Sequence, residues 1–411
     1  MSSKPTATPA PLSGRMIVLG VTGSIAAFKA VDVTSRLVQA GATVEVVMTE
    51  AATKFIGPLT FRGITGREPY VDLWATASPH AEPHVVLGRS ADLYLIVPAS
   101  ASTMARIAHG LADDFVSLTA LAMRGPVLIA PAMDALMWSN AATRANVDLL
   151  RERGIEFLGP VEGRLASGEV GAGRLMEPAA IVDHVKARIG REHGDLAGAR
   201  IAVTAGGTRE PADPVRFVGN RSTGKMGHAL AEAARDRGAD VVLITSASLA
   251  APGATEVVQV ETAHEMLAAL ETHVADCDAL VMAAAVADYR PSESLERKQK
   301  RGGLEHWTLD LERNPDLIAS IEREGLIKVA FAAETEDVLR NAAHKLVAKG
   351  AHLMVANDVS AKDAGFAVDT NRVVILDRNG GCDELPLLSK YDCSHRILDR
   401  LAALLQDRAP L

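Results

Sequence analysis

Cysteine is scarce: Cys277, Cys382 and Cys393 are the only three in 411 residues. Three is an odd number and their spacing matches no metal-ligand pattern, so neither a disulfide framework nor a thiolate metal site is expected. The plain reading is a reduced, cytoplasmic protein. No run approaches the ~18 apolar residues of a membrane span, so no membrane partner is expected. Surplus positive charge is missing too. The net charge is −8, which argues against a general nucleic-acid binder, although local basic clusters remain available for a phosphorylated ligand. Residues 1–14, MSSKPTATPAPLSG, lack an apolar h-region and read as a disordered tail, not a signal peptide. What is present is ordinary: 48% hydrophobic and 23% charged residues, enough for two or three globular domains.

The stretch 201–227, IAVTAGGTREPADPVRFVGNRSTGKMG, organises the second half. An apolar run suited to a buried parallel strand leads into a small-residue turn, and a second glycine-bearing segment leads into a helical pattern. Backbone N–H groups and a helix dipole meet there, which suits a phosphate. Neither GxxxxGK[ST] nor GxGxxG is present, so this is not a Walker A loop. The bland alternative is a tight turn with no ligand.

The first half alternates strand and helix patterns. Apolar runs at 16–21, 43–48, 93–97 and 126–130 read as strands, and 25–39 reads as a helix. This rhythm predicts a doubly wound parallel sheet, whose ligands bind beyond the carboxyl ends of the strands. Three loops of small and hydroxyl residues fall at those ends: Gly23-Ser24-Ile25-Ala26, Pro98-Ala99-Ser100-Ala101-Ser102-Thr103 and Pro131-Ala132-Met133-Asp134. Any one is explained as a helix cap. Together they favour a phosphate-bearing cofactor.

In the second half, 241–245, 279–282, 328–331 and 353–356 read as further strands, and 226–237, 263–274, 337–349 and 390–405 as amphipathic helices. Segments 372–376 and 384–388 flank Asp377-Arg378-Asn379-Gly380-Gly381, a hairpin signal. Small residues at 283–287 let a nucleotide approach the backbone, and Asp288 beside them suits Mg2+ near triphosphate oxygens or a simple turn cap. The basic run 297–301, followed by Gly302-Gly303, has the composition of a solvated loop or of a phosphate-gripping flap. Asn314-Pro315 resembles a helix start. Lys345 and Lys349 share a helix face.

The segments GSIA, PHVVL, PASAS with GLADD, and PAMDALMW resemble the successive motifs of the flavin-dependent cysteine decarboxylases. The resemblance implies FMN held by Gly23, Ser24, Ile25, Thr49, Pro98, Ser100, Ser102 and Met133, with His84 catalytic. Imidazole suits proton removal near neutral pH. It also implies oxidative decarboxylation of 4′-phosphopantothenoylcysteine to 4′-phosphopantetheine. Two positions depart from the common form. Asp134 stands where asparagine grips the substrate carboxylate. An ionised Asp cannot donate a hydrogen bond, so either it is protonated in the closed site or it contacts a different group. Ser167, in the flap 163–175, stands where a cysteine serves as proton donor. Ser167 either only orders the flap, with water or another acid supplying the proton, or takes a catalytic part.

From TAGGTREPADPVRFVGN through AAAVADYRP, the basic flap, NPDLI, FAAETE and VANDVS to LPLLSK, the second half resembles phosphopantothenate–cysteine ligase. That implies a CTP site of Met282, Ala283, Ala284, Asp288, Lys298, Pro315, Asp316, Leu317, Ile318, Phe331, Lys345 and Lys349. It implies Asn220 as the residue that holds the activated substrate, Lys298 as the flap lysine (KQKR where KIKK is usual), and Mg2+ at Asp288. The reaction implied joins 4′-phosphopantothenate to cysteine through an acyl-cytidylate. Nothing in the residues excludes ATP in place of CTP.

The expected architecture is therefore α/β with two doubly wound domains. These are a flavodoxin-like decarboxylase domain at 15–190, a linker at 191–198, and a Rossmann-like ligase domain with a small antiparallel addition at 199–411. The resemblance implies a homo-oligomer, a dodecamer with a trimeric flavin half, a dimeric ligase half and sites at subunit interfaces. Two competing readings are a ligase whose flavin half serves only assembly, supported by Asp134 and Ser167, and a nucleotide-binding regulator without turnover.

Overall fold

Where the sequence carries an unbroken apolar run, the chain forms a strand covered on both faces. The computed structural model describes residues 10–75, 82–300, 306–334, 337–358 and 368–407. The chain divides into two compact units at Ile189 and Gly190. In the first, the strands are β1 (Met16–Val21), β2 (Thr43–Met48), β3 (Leu93–Ala99), β4 (Val127–Pro131) and β5 (Glu156–Phe157). All are parallel, in the order β2-β1-β3-β4-β5. This is the flavodoxin-like order, which reverses direction between β1 and β3 and so opens a crevice at their carboxyl ends. Successive residues of β1 enter opposite cores: Ile17, Leu19 and Val21 on one face, Val18 with Tyr94 and Ile96 on the other. Gly20 is required by this packing, because a Cβ there would lie 2.7 Å from Tyr94 Oη. The flap is a hairpin, β6 (Val161–Arg164) and β7 (Val170–Arg174).

The second unit contains β8 (Arg200–Ala205), β9 (Arg209–Pro211), β10 (Phe217–Gly219), β11 (Asp240–Thr245), β12 (Glu256–Gln259), β13 (Ala279–Met282) and β14 (Tyr289–Pro291). It continues with β15 (Leu311–Arg313), β16 (Ile327–Glu334), β17 (Leu353–Asp358), β18 (Thr370–Asn371), β19 (Val373–Asp377), β20 (Cys382–Glu384) and β21 (Leu388–Ser389). Its main sheet runs β12-β11-β8-β13-β16-β17-β19-β20. The first six strands are parallel in the Rossmann order and the last two are antiparallel. The switch point lies between β8 and β13. Gly227 allows the helix Lys225–Asp236 to pack on β8, since a Cβ there would lie 2.5 Å from that of Ala205.

Several boundaries differ from the sequence reading. Residues 1–9 of the expected tail lie outside the described residues, but 10–14 are ordered. Leu12 is fully buried and donates its N–H to the Ala40 carbonyl at 2.8 Å. The first helix is Ala27–Gln39, not 25–39, because Ala27 N–H closes a turn on the Ser24 carbonyl. Residues 191–193 continue the helix Pro178–His193. The hairpin partner of β19 is Cys382–Glu384, not 384–388. The Asp377 carboxylate accepts the N–H groups of Asn379 and Gly381 at 2.8 and 2.9 Å, which tightens the turn and starts the return strand earlier. Leu388–Ser389 pairs instead with Thr370–Asn371. The four helices expected in this half form within one residue of their predicted ends. The three cysteines are unpaired, and no described helix is long and apolar enough to cross a membrane.

Candidate active sites

Two cavities open at the carboxyl edge of the first sheet. One, of about 640 Å³, is lined by Gly23, Thr49, Ser100, Ser102 and Thr103. Its geometry follows from short-range capping. Thr49 accepts the Ala52 N–H, and Ser100 accepts the Thr103 N–H at the start of the helix Ala101–His109. The buried Thr22 hydroxyl donates to the Pro98 carbonyl at 2.7 Å and accepts the Ser100 N–H at 2.9 Å. This stitches the loops after β1 and β3 together. Pro98 itself is buried and lines neither cavity.

The second cavity, about 720 Å³, is lined by Ser24, Ile25, Met133, Asp134 and the flap residues Arg164, Ser167 and Arg174, with Lys29. Asp134 caps the short helix Ala135–Ser139 through Oδ1, which accepts the Leu136 N–H at 2.9 Å, and its Oδ2 accepts the Ser167 hydroxyl at 3.1 Å. Both oxygens of Asp134 are thus engaged within the chain, one by the Leu136 N–H and the other by the Ser167 hydroxyl. Three cations face one carboxylate in this cavity. Lys29 and Arg174 share a partner in Glu177. His84 lies half-exposed in the first turn of the helix Pro83–Ser90 and lines neither cavity. The first cavity's hydroxyls and helix N-terminal N–H groups fit a phosphate-bearing organic cofactor such as FMN.

In the second unit one cavity of about 980 Å³ gathers residues from five separate segments. It is lined by Asn220, Met282, Ala284, Asp288, Pro315, Asp316, Leu317, Ile318, Phe331, Lys345 and Lys349. Asp316 caps the helix Leu317–Ser320, and its Oδ2 lies 3.5 Å from Lys349 Nζ. The Asn220 side-chain amide donates to the Ala285 and Val286 carbonyls at 3.2 and 3.0 Å. Ala283 lines a smaller neighbouring pocket of about 90 Å³ with Ser222, Lys225, Asn357 and the buried Lys390. Lys298 is exposed and lines neither. Residues 301–303 of the basic run lie outside the described residues, as do Thr335 and Glu336 of FAAETE and Val359 and Ser360 of VANDVS. Among the described residues no group of three or more His, Cys, Asp or Glu could hold a metal by itself. Asp288 and Asp316 in one cavity fit a Mg2+ that binds through one or two carboxylates and substrate phosphates.

The family described as "Flavoprotein" matches residues 5–190, and "DNA/pantothenate metabolism flavoprotein C-terminal domain" matches 196–405. The chain is 43% identical over 400 residues to the coenzyme A biosynthesis bifunctional protein CoaBC of Bacillus subtilis (strain 168), covering 96% of this chain and 98% of that one. The protein of the same name from Mycobacterium tuberculosis (strain H37Rv) is 43% identical over 408 residues, 95% and 97% of the two chains. The chain belongs to the coenzyme A biosynthesis bifunctional protein family. A crystal structure of the C-terminal domain of a CoaBC protein is 37% identical and covers 52% of this chain and 100% of that one, with a TM-score of 0.45.

Sequence reasoning missed the residues that hold the loop 284–288 in place. The Thr204 hydroxyl accepts the Ala284 N–H at 3.1 Å and that of Thr208 accepts the Ala287 N–H at 2.9 Å. From the other side, Asn314 Nδ2 donates to the Ala287 carbonyl at 2.8 Å and Asn314 N–H to that of Asp288 at 2.9 Å. The buried Lys328 donates to the Ile318 carbonyl at 3.0 Å. The two threonines flanking a glycine pair were visible as a turn, but their partners, some eighty positions away, were not.

Proposed function

We propose that this chain catalyses two reactions of coenzyme A biosynthesis in the cytoplasm: ligation of 4′-phosphopantothenate to cysteine, then decarboxylation of the product, 4′-phosphopantothenoylcysteine. The observation that carries the reading is the convergence of Asn220, Met282, 284–288, 315–318, Phe331, Lys345 and Lys349 on one cavity. A nucleotide needs these parts together: small residues against which its backbone-bound face can lie, an aromatic, and cations for its phosphates.

In the ligation, the phosphopantothenate carboxylate attacks the α-phosphorus of CTP and pyrophosphate leaves. The cysteine amine then displaces CMP to form the amide. Lys345 and Lys349 offset charge on the phosphates, and Lys298 joins them from the basic run. Asp288 holds the Mg2+ that accompanies the triphosphate. Asn220, oriented by two carbonyls, positions the acyl intermediate.

In the first unit, Gly23, Ser24, Ile25, Thr49, Ser100, Ser102 and Met133 hold FMN, with Pro98 shaping the loop behind them. Bound there, FMN supplies the two-electron oxidation and re-reduction that the decarboxylation requires. His84 removes the substrate proton. Asp134 does not grip the substrate carboxylate; the surplus of cations in its cavity does, and Ser167 orders the flap. A homo-oligomer brings His84 from a neighbouring subunit, and the exposed Ile25, Phe28 and Leu136 at this rim, 63%, 61% and 75% accessible, suit such a contact.

Incubation with 4′-phosphopantothenate, cysteine, CTP and Mg2+, with FMN bound and products followed by mass, tests the proposal. Phosphopantetheine is the expected product. Accumulation of phosphopantothenoylcysteine alone would restrict the activity to ligation, and no pyrophosphate release would refute the reading.

A further inference from the structure

Residues 212–216 form the tip of the β9–β10 hairpin, whose return strand runs directly into Asn220. At that tip Asp213 is only 2% exposed, although it does not line the nucleotide cavity. Its Oδ1 accepts the N–H groups of Val215 and Arg216, both at 2.8 Å, which closes the turn. Its Oδ2 has other partners: Arg216 Nη1 at 2.7 Å and the Gln299 N–H at 3.2 Å. Arg216 Nη1 also donates to the Gln299 carbonyl at 3.3 Å, and its guanidinium lies 5.1 Å from the centre of the Trp307 ring. The Leu295 N–H donates to the Ala212 carbonyl at 3.0 Å, so the chain entering the basic run lies alongside the same turn.

One buried carboxylate, and the arginine it holds, therefore fix both backbone groups of Gln299. Lys298 is its immediate neighbour. Turn closure uses only one carboxylate oxygen. The second is committed to a segment 86 positions away. Burial alone would raise the Asp213 pKa. The backbone N–H groups of Val215, Arg216 and Gln299, together with the Arg216 guanidinium, outweigh this and hold it below the usual carboxylate range. The group is thus charged at neutral pH and its bonds are charge-assisted.

We infer that Asp213 is a positioning residue for the ligation, acting through Gln299 to fix the place from which Lys298 reaches the triphosphate. This rests on the reading of Lys298 given above. A lysine on a loosely held backbone spends less time in its productive position, which lowers the rate of the step without removing any contact from the nucleotide cavity.

The test uses the full chain and Asp213→Asn. The amide oxygen keeps the turn bonds, while Nδ2 cannot accept from Gln299 or Arg216. Ligation kcat falls about tenfold, the scale of a lost charge-assisted hydrogen bond, and the Kd for CTP changes by less than about twofold. Trypsin cleaves after Arg297, Lys298 and Lys300 faster than in the parent, and decarboxylation of supplied phosphopantothenoylcysteine is unchanged. Combined with Lys298→Ala, the variant adds no further loss, because Asp213 acts only through that lysine. Parent kcat in Asp213→Asn, or a full multiplicative loss in the double variant, overturns the inference. Parent ligation in Lys298→Ala alone refutes the reading of Lys298 and the inference with it. Should Asp213→Asn fail to fold, Trp307→Leu, which frees Arg216 from its exposed side, gives a smaller loss of about threefold, again absent in the Lys298→Ala background; parent kcat in Trp307→Leu would then overturn the inference.

Discussion

The Ser167 hydroxyl donates to Asp134 Oδ2 at 3.1 Å, which ties the flap hairpin to the loop that follows β4. The two positions that depart from the common decarboxylase form are therefore partners. Each substitution makes sense beside the other, since a carboxylate accepts what a hydroxyl donates. Replacing Ser167 with Ala removes about 1 kcal/mol of flap anchoring, and decarboxylation kcat is expected to fall about fivefold. Flavin absorbance of the purified protein should be unchanged. Asp134→Asn keeps the cap on Leu136 and allows the bond to Ser167 to reverse its direction. It adds a donor for the substrate carboxylate, so its KM for phosphopantothenoylcysteine is expected to fall. A higher KM would show that the negative charge of Asp134 itself is needed.

His84→Asn should abolish CO2 release while the protein stays yellow. Because His84 lines neither cavity of its own chain, co-expression of His84→Asn with an Asp134→Arg chain is expected to restore part of the activity in mixed oligomers. No recovery on mixing would place both residues in one subunit's site.

Lys298→Ala should lose ligation by at least about a hundredfold, the scale of a lost charge-stabilising donor, yet decarboxylate supplied phosphopantothenoylcysteine at the parent rate. Loss of both activities would point to a folding defect.

A buried network joins two helices of the second unit. Arg235, 1% exposed, donates to Asp236 Oδ1 through Nε and Nη2 at 2.9 and 2.6 Å, and to the Gly253 carbonyl through Nη1 at 2.8 Å. The Tyr391 hydroxyl donates to Asp236 Oδ2 at 2.7 Å. Arg235→Leu leaves the buried Asp236 carboxylate without its cation, and denaturant unfolding is expected to show a loss of about 3–5 kcal/mol. A change below about 1 kcal/mol would mean that solvent reaches Asp236.

Acid should weaken the same unit. Burial pushes both His228 and His395 below the usual imidazole range. Arg237 adds to the effect at His395, and an Ala250 backbone contact opposes it at His228. The unfolded chain therefore takes up protons first. The stability is present above the unfolded value of about 6.5 and is lost as pH falls below it. Tm should drop between about pH 7 and pH 5, and His395→Asn should flatten that slope. A parent Tm independent of pH over this range would contradict the assignment.

Much of this was legible in the residues. Unbroken apolar runs such as those of β1, β3 and β8 can only be buried strands, and the spacing of their successors required right-handed crossovers and a parallel sheet. The small-residue loops at 23–26 and 98–103 likewise had to fall at strand ends. The sequence signals a hairpin here but puts its return strand at 384–388 rather than Cys382–Glu384, because the Asp377 side chain, not the glycine pair, sets where the turn closes. Leu12 reads as part of a tail because a single apolar residue among prolines carries no periodic signal, yet it is fully buried.

By itself the sequence determined the order of elements, the two α/β halves, and the small-residue loops at the strand ends, because each depends on local pattern and on rules of chain connection. Only the tertiary structure decided that Asn220, Asp288, Pro315, Phe331 and Lys349 line one cavity, that Ser167 answers Asp134, and that Asp213 holds Gln299. These pairings join segments far apart in the chain. They are set by strand order and register, which bring together residues that no local periodicity relates.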